Sequence, residues 1–307
     1  MDDLHIPVLL DEVIDNMNLK SNDIVVDCTL GFGGHSSRIL SKINKGHLYA
    51  FDQDDEAIKY SDNRLNKICS NYTIIKSNFD NIKEELNKLG VNKVNCILFD
   101  LGVSSVQLDS DRGFTYMRNE KLDMRMDKEQ KFSAIDVVNT YSYNDLVRIF
   151  FEYGESNFSK SIAKNIVKYR EHKKIEYTSE LVDIINSSTP KLLKKNPSKQ
   201  IFQAIRIEVN HELDSLDKAL DQAFDLIDVG GRILVISFHS LEDRIVKTKF
   251  NKKSNVDFII KGNPNIDSSM LPKFRLVNKK PIVPSALELE KNSRSLSSKL
   301  RIIERIR

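Results

Sequence analysis

Among the 307 residues are only three cysteines, Cys28, Cys69 and Cys96, scattered and odd in number. Such a set suggests neither a disulfide framework nor a zinc site, and it fits a reducing cytoplasm. Glycine (11) and proline (7) are sparse, while 40% of the chain is apolar and 30% charged. That balance excludes a disordered or low-complexity protein. No apolar run approaches the roughly 18 residues of a spanning helix, and the opening MDDLHIP is acidic where a signal peptide is basic. The six histidines lack ligand spacing, so no metal is expected. What is left is an unprocessed, soluble chain, long enough for two domains or one large α/β unit, with no membrane partner.

Charge is present in quantity but unevenly placed. The net +3 hides a run of 16 basic against 5 acidic residues over 244–307 and 10 against 4 over 160–200, with 3 against 9 over 201–243 between them. Two basic segments flanking an acidic one can present a positive face to a polyanion, although a solvated lysine surface has the same composition.

Short apolar runs alternate with helical patterns over the first hundred residues, which predicts a parallel sheet with crossover helices. The strands fall at Ile24–Asp27, His47–Asp52, Tyr72–Lys76 and Asn95–Asp100, and a fifth at Arg232–Phe238 after Gly230 and Gly231. The glycine pair ends a helix whose apolar pattern runs from about Asn210 to Ile227. More than a hundred residues with little strand character separate the fourth and fifth strands, too many for a loop. They read as a helical insert over 105–208, dividing a discontinuous domain of 1–104 and 209–307. Its helices are expected at Ser133–Asn139, Tyr143–Glu152, Ser159–Glu171, Ser179–Ser188 and Lys199–Glu208, with Pro190 and Pro197 in a loop. Asp257–Lys261 and Leu300–Arg305 are further strand candidates.

The first strand runs into DCTLGFGGHSSRIL, where Gly31, Gly33 and Gly34 permit a tight turn and close backbone approach to a ligand. Ser36 stands where a dinucleotide fingerprint needs glycine, and the lysine of a P-loop is absent. The second strand ends in Asp52, 19 residues after Gly33, placed to accept hydrogen bonds from both ribose hydroxyls of an adenosine. A dinucleotide brings phosphates, whereas S-adenosylmethionine brings a cation, which the neighbouring Asp27 and Asp54 suit better. The loop therefore favours methyl transfer. After the third strand Phe79 offers a ring for adenine, and the fourth ends in Asp100 at the carboxyl edge where open α/β sheets bind ligands.

The segments HIPVLLDEVI, DCTLGFGGHS, FDQD, LFDLGVSSVQLD, RGFTYMR with LDMRMD, FQAIRIEVNHEL and GGRILVISFHSLEDRIVK span nearly the whole chain. In that order they resemble the bacterial 16S ribosomal RNA cytosine-N4 methyltransferase family (RsmH, formerly MraW). The resemblance implies a Rossmann-like class I methyltransferase sheet with an inserted helical domain that serves substrate recognition. It implies S-adenosylmethionine-dependent methylation of the exocyclic N4 amine of a cytidine in the decoding region of 16S ribosomal RNA, within the small ribosomal subunit. The matching cofactor contacts are Gly33, Gly34, His35, Asp52, Phe79, Asp100 and Gln107. Thr29 stands where the broader class I pattern often has glycine. Partners expected are the ribosomal RNA and, compatibly, a second copy of the chain.

Cytosine N4 is a poor nucleophile because its lone pair is delocalised into the ring, so the reaction needs in-line positioning and an acceptor for the amine. Asp100 is the catalytic candidate, with service to the cofactor alone as the other reading. The chain lacks the (D/N/S)PP(Y/F) tetrapeptide of amino-methylating DNA enzymes, so base stacking must come from Phe114, Tyr116 or Phe238. Asn210 and His239 are substrate candidates near the expected cleft, and a cap or core hydrogen bond is the plainer role for each. A nucleotide-dependent oxidoreductase and a non-catalytic RNA-binding module on the same fold are the rival readings; the missing third glycine counts against the first, the intact acidic strand ends against the second.

Overall fold

A computed structural model of the chain describes residues 7–103, 108, 110–190, 196–256 and 271–307. In chain order the described elements are α1 (Leu10–Met17), β1 (Ile24–Asp27), α2 (Gly34–Leu40), β2 (His47–Asp52), α3 (Asp55–Leu65), β3 (Tyr72–Lys76), α4 (Ile82–Lys88) and β4 (Val94–Asp100). Next come five helices: α5 (Ala134–Thr140), α6 (Tyr143–Glu152), α7 (Ser159–Arg170), α8 (Thr178–Ser187) and α9 (Pro197–Asn210). The chain then forms α10 (Glu212–Leu226), β5 (Ile227–Ser237), α11 (Ser240–Ser254), β6 (Phe274–Leu276), α12 (Ala286–Lys291) and β7 (Lys299–Arg305). Two compact units result, Met1–Gly102 with Leu213–Arg307, and Val103–Glu212.

The first unit is a seven-stranded sheet in the order β3-β2-β1-β4-β5-β7-β6. The pairs from β3 to β5 are parallel, and β7 runs antiparallel to both β5 and β6. The order reverses between β1 and β4, and that switch point opens a crevice at the carboxyl ends of the strands. Both faces of the sheet are covered, which is why its strands read as unbroken apolar runs. Side-chain alternation sends Val26, Ile97, Phe99, Ile233 and Val235 to one face, beneath Leu216, Leu220 and Phe224 of α10 and Phe250 of α11. Val25, Cys96, Leu98, Leu234 and Ile236 go to the other, beneath Val13, Ile14 and Met17 of α1 and Ile39 of α2.

The second unit has its own core, with Val137, Ile149, Phe150, Ile162, Ile166, Leu181, Ile185, Ile201 and Ile205 among its buried residues. Three of its helices start at side-chain caps: Ser133 with Asp136 opens α5, Ser142 accepts from the Asp145 amide at α6, and Asn196 accepts from the Ser198 amide at α9.

Several boundaries differ from expectation. Pro197 is the first residue of α9 and not part of a loop, because a fixed φ and a missing N–H suit the first helical position. Asn210 ends α9 and does not open the crossover helix; His211, at φ +50°, breaks the chain direction before α10 begins at Glu212. The glycine pair does not end that helix, which stops at Leu226. Ile227 already pairs with Val94, Asp228 to Gly230 loop out, with Gly230 at φ +82°, and regular pairing resumes with Arg232 opposite Cys96. The short β6 was not anticipated, since three residues in a basic stretch give no periodic signal; the strand expected at 257–261 lies outside the described residues.

Candidate functional site

Three aspartates end the strands at the switch point and beside it: Asp27 on β1, Asp100 on β4 and Asp52 on β2. Each is held differently. The carboxylate of Asp27, fully buried, takes the Ser36 hydroxyl at 2.6 Å and the Thr29 amide at 3.1 Å. Burial pushes its pKa up, and those two bonds pull partly against the shift. Asp27 is thus a strut between β1 and α2, not a free charge for a ligand.

Asp52 sits inside a ring of backbone donors. Its Oδ2 accepts from the Gly31 amide at 2.8 Å and its Oδ1 from the Asp54 amide at 2.9 Å. Burial raises its pKa to about 6, opposed by those amides and reinforced by the neighbouring Asp54 charge. Each carboxylate oxygen keeps a second lone pair, which is the capacity that two ribose hydroxyls require.

The loop from Cys28 to Gly33 is tied down on all sides. The Cys28 amide donates to the Leu98 carbonyl, the Leu30 amide to Phe51 and the Ser61 hydroxyl to Gly31. Gly31 and Gly33 take positive φ values of +50° and +68°, which a side chain would strain. Gly34 is constrained for another reason: a Cβ there would collide with the Pro7 ring. Phe79, partly buried, opens a short 3-10 turn and meets the Phe99 ring edge-on at 5.7 Å.

Asp100 is the least satisfied of the three. Its amide donates to the Thr29 hydroxyl at 2.7 Å, which gives the threonine a structural role. Its Oδ2 lies 3.4 Å from His35 Nδ1, but Oδ1 is buried with no hydrogen-bond partner. Burial first, then the charges of Asp27 and Glu242, raise its pKa well above the carboxylate range. The side chain of His35 is sequestered between the Val8 carbonyl, 3.1 Å from Nε2, and Asp100, so only its backbone is left for a ligand.

Glu242 escaped the sequence reading. It is buried, its Oε2 accepts the amides of Phe238 (2.7 Å) and His239 (3.2 Å), and it caps α11. The H-S-L-E spacing carries that capping-box signal. His239 Nε2 lies 3.1 Å from Glu242 Oε1 without hydrogen-bond geometry, while its Nδ1 faces the Glu242 amide; the residue is a helix cap. Phe238 packs on Gly102, just past β4, whose φ of +96° lets the chain turn there.

The candidates of the second unit, Phe114, Tyr116 and Asn210, make contacts within that unit. Phe114 is in the insert core with the Arg112 guanidinium 5.4 Å above its ring, and Tyr116, partly buried, packs edge-on against Phe202. The Asn210 amide is consumed locally: Oδ1 accepts from Met126 N, and Nδ2 donates to the carbonyls of Met124 and Arg206. Gln107 lies outside the described residues.

The residues present fit S-adenosylmethionine. A glycine cradle, a carboxylate with two spare lone pairs and an orphaned buried oxygen among acidic groups match a nucleoside bearing a positive charge. Among solved structures, the chain is similar to an rRNA methylase from Streptococcus thermophilus (12% identity, 99% of each chain, TM-score 0.45). It is also similar to a putative rRNA-methylase from Clostridium thermocellum (16%, 99% and 100% of the two chains, 0.46). A putative methyltransferase from Streptococcus mutans, in complex with SAH, matches at 12% over 98% and 99% of the chains with a TM-score of 0.42. The fold assignment rests on the strand order above and not on these likenesses. The model of the MraW methylase family matches residues 2–306. With the switch-point geometry this leads to one conclusion: the chain belongs to the MraW methylase family and is an RNA methyltransferase that takes its methyl group from S-adenosylmethionine.

Proposed function

We propose that the methyl acceptor is the exocyclic N4 amine of a cytidine in the decoding region of 16S ribosomal RNA. The observation that carries this reading is the Asp100 Oδ1 atom, buried and unpartnered at the carboxyl end of β4. An exocyclic amine needs an acceptor there, because its proton acidity rises as the lone pair is withdrawn from the ring. When bound, S-adenosylmethionine supplies a methyl group on a sulfonium, which the amine displaces with the carbon–sulfur electron pair leaving on sulfur.

The chain's own groups divide the remaining work. Gly33, Gly34 and the His35 backbone form the close-approach loop, Asp52 takes the ribose hydroxyls, and Phe79 supplies an apolar wall for adenine. Asp100 Oδ1 accepts a hydrogen bond from the amine and draws its proton as the nitrogen becomes cationic. Phe238, on Gly102, is the ring that replaces Phe114 as the stacking surface for the base. In the insert, Lys160, Lys164 and Lys168 form an exposed stripe on α7, opposite its buried Ile162, Ala163 and Ile166, and suit a phosphate backbone. No helix among the described residues is long and apolar enough to cross a membrane, and a ribosomal substrate places the protein in the cytoplasm.

Mass spectrometry of ribosomal RNA from a strain lacking the gene, with and without the restored gene, tests the reading. The expected result is loss of one methyl group from the amine of a single 16S cytidine and its return on restoration. A methyl that persists without the gene, or that proves to be on ring carbon or ribose oxygen, overturns it.

A further inference from the structure

His35 has a polar neighbour at each ring nitrogen, and the two contacts constrain where its protons are. The Val8 carbonyl, 3.1 Å from Nε2, only accepts, so Nε2 carries a hydrogen. Nδ1 then faces Asp100 Oδ2 at 3.4 Å. Two bare lone pairs would repel at that distance, and one proton between them removes the conflict, on either atom. Among the described residues, the charges that raise the Asp100 pKa are acidic, Asp27 at the end of β1 and Glu242 on α11, whose cap is His239. Among the described residues, His35 is the basic side chain in contact with Asp100.

We propose that His35 and Asp100 hold one proton between them, and that the pair gives it up when the cationic methyl donor binds and keeps it when the neutral thioether product is bound. A positive charge beside Asp100 favours the ionised carboxylate, whereas S-adenosylhomocysteine carries no charge on sulfur. His35 is accordingly a positioning residue: it holds Oδ2, leaves Oδ1 to the reacting groups, and lets Asp100 exist neutral among acids while the site is empty. The direction of the effect follows by linkage. Releasing a proton on binding the donor makes its preference over the product rise with pH, by up to tenfold per pH unit. The raised pKa of Asp100 agrees with this direction.

The inference rests on S-adenosylmethionine as donor and not on the identity of the acceptor, so its tests contain no RNA. Titration calorimetry of the full chain at neutral pH, in two buffers of different ionisation enthalpy, counts protons released by S-adenosylmethionine and by S-adenosylhomocysteine. Asp52 meets the same ribose in both ligands and cancels in the difference. The wild-type protein is expected to release more protons with the donor, a difference approaching one. His35→Gln, which keeps an N–H for the Val8 carbonyl but no titratable nitrogen, is expected to lose most of that difference. Equal proton counts for the two ligands in the wild type, or an unchanged difference in the variant, overturn the proposal. Should the variant not fold, nitrogen-15 NMR of histidine-labelled wild-type protein decides: the His35 Nδ1 resonance is expected to move with the donor and stay with the product. A resonance indifferent to both ligands overturns the proposal.

Discussion

The ends of β2 and β4 carry the same residue type on the same edge of the same sheet, yet Asp52 and Asp100 are held in opposite ways. Asp52 lies among backbone N–H groups, each oxygen already holding one and keeping a lone pair for another donor. Asp100 lies among carboxylates, with one oxygen against His35 and the other without a partner. A ring of neutral donors builds a receptor for hydroxyl groups, while crowding by like charges builds a group that gains from a nearby cation or a proton. Asp27, between them in the sheet, shows the third outcome, a carboxylate wholly spent on holding the loop. All three aspartates end strands on the carboxyl edge of the sheet, and their neighbours decide how each carboxylate is held.

The comparison breaks most visibly at Asp100. Asp100→Asn is nearly isosteric and is expected to lower the single-turnover rate about a hundredfold, the scale on which removing one transition-state partner acts. Asp52→Ala is expected to weaken S-adenosylmethionine binding tenfold or more in calorimetry, since each charge-assisted bond contributes about 1.5–3 kcal/mol. It also frees the Gly31 amide. A pH series sharpens the contrast further. Asp52 is protonated in the empty protein below its pKa of about 6 and ionised above it, and ribose hydroxyls donate best to the ionised form. S-adenosylhomocysteine affinity is therefore expected to climb through about pH 6 and level off above it, a step that Asp52→Asn abolishes.

Smaller effects belong to the insert, where Asn210 serves the fold and the α7 lysines are proposed to meet RNA phosphates. Asn210→Ala leaves the Met126 amide and the Met124 carbonyl unpaired, and denaturant unfolding should show a loss of about 1–3 kcal/mol. Cofactor affinity should not change. Replacing Lys160, Lys164 and Lys168 with Gln is expected to reduce the salt slope of RNA binding by about 2, at roughly 0.7 per phosphate contact on a single strand. An unaltered slope would make α7 an ordinary solvated face.

Much of the sheet unit was legible because a parallel strand buried on both faces leaves a run such as IVVD or ILFD that nothing else explains, and because Asp27, Asp52 and Asp100 punctuate those runs. Helix starts in the insert were legible at the caps Ser133 and Ser142 but not at Asn196, where Pro197 reads as a loop residue although it opens the helix. What was not legible depended on contacts distant in sequence. Nothing in DRGFTYMR says that Tyr116 meets Phe202, and nothing near Asn210 says that its amide reaches back 84 residues to Met126. Likewise the motif GFGGHS puts His35 in the loop, but only the fold shows that its ring turns toward Val8 and Asp100.

The division of labour between the two aspartates is tested most directly by single-turnover methyl transfer to ribosomal RNA, measured against S-adenosylmethionine concentration for Asp52→Asn and Asp100→Asn together. The account predicts that excess cofactor restores the Asp52→Asn rate to near the wild-type value, because that carboxylate acts only in binding, and that the Asp100→Asn rate stays depressed at saturation. Full recovery of Asp100→Asn at saturating cofactor would contradict it and leave Asp100 as a second binding group.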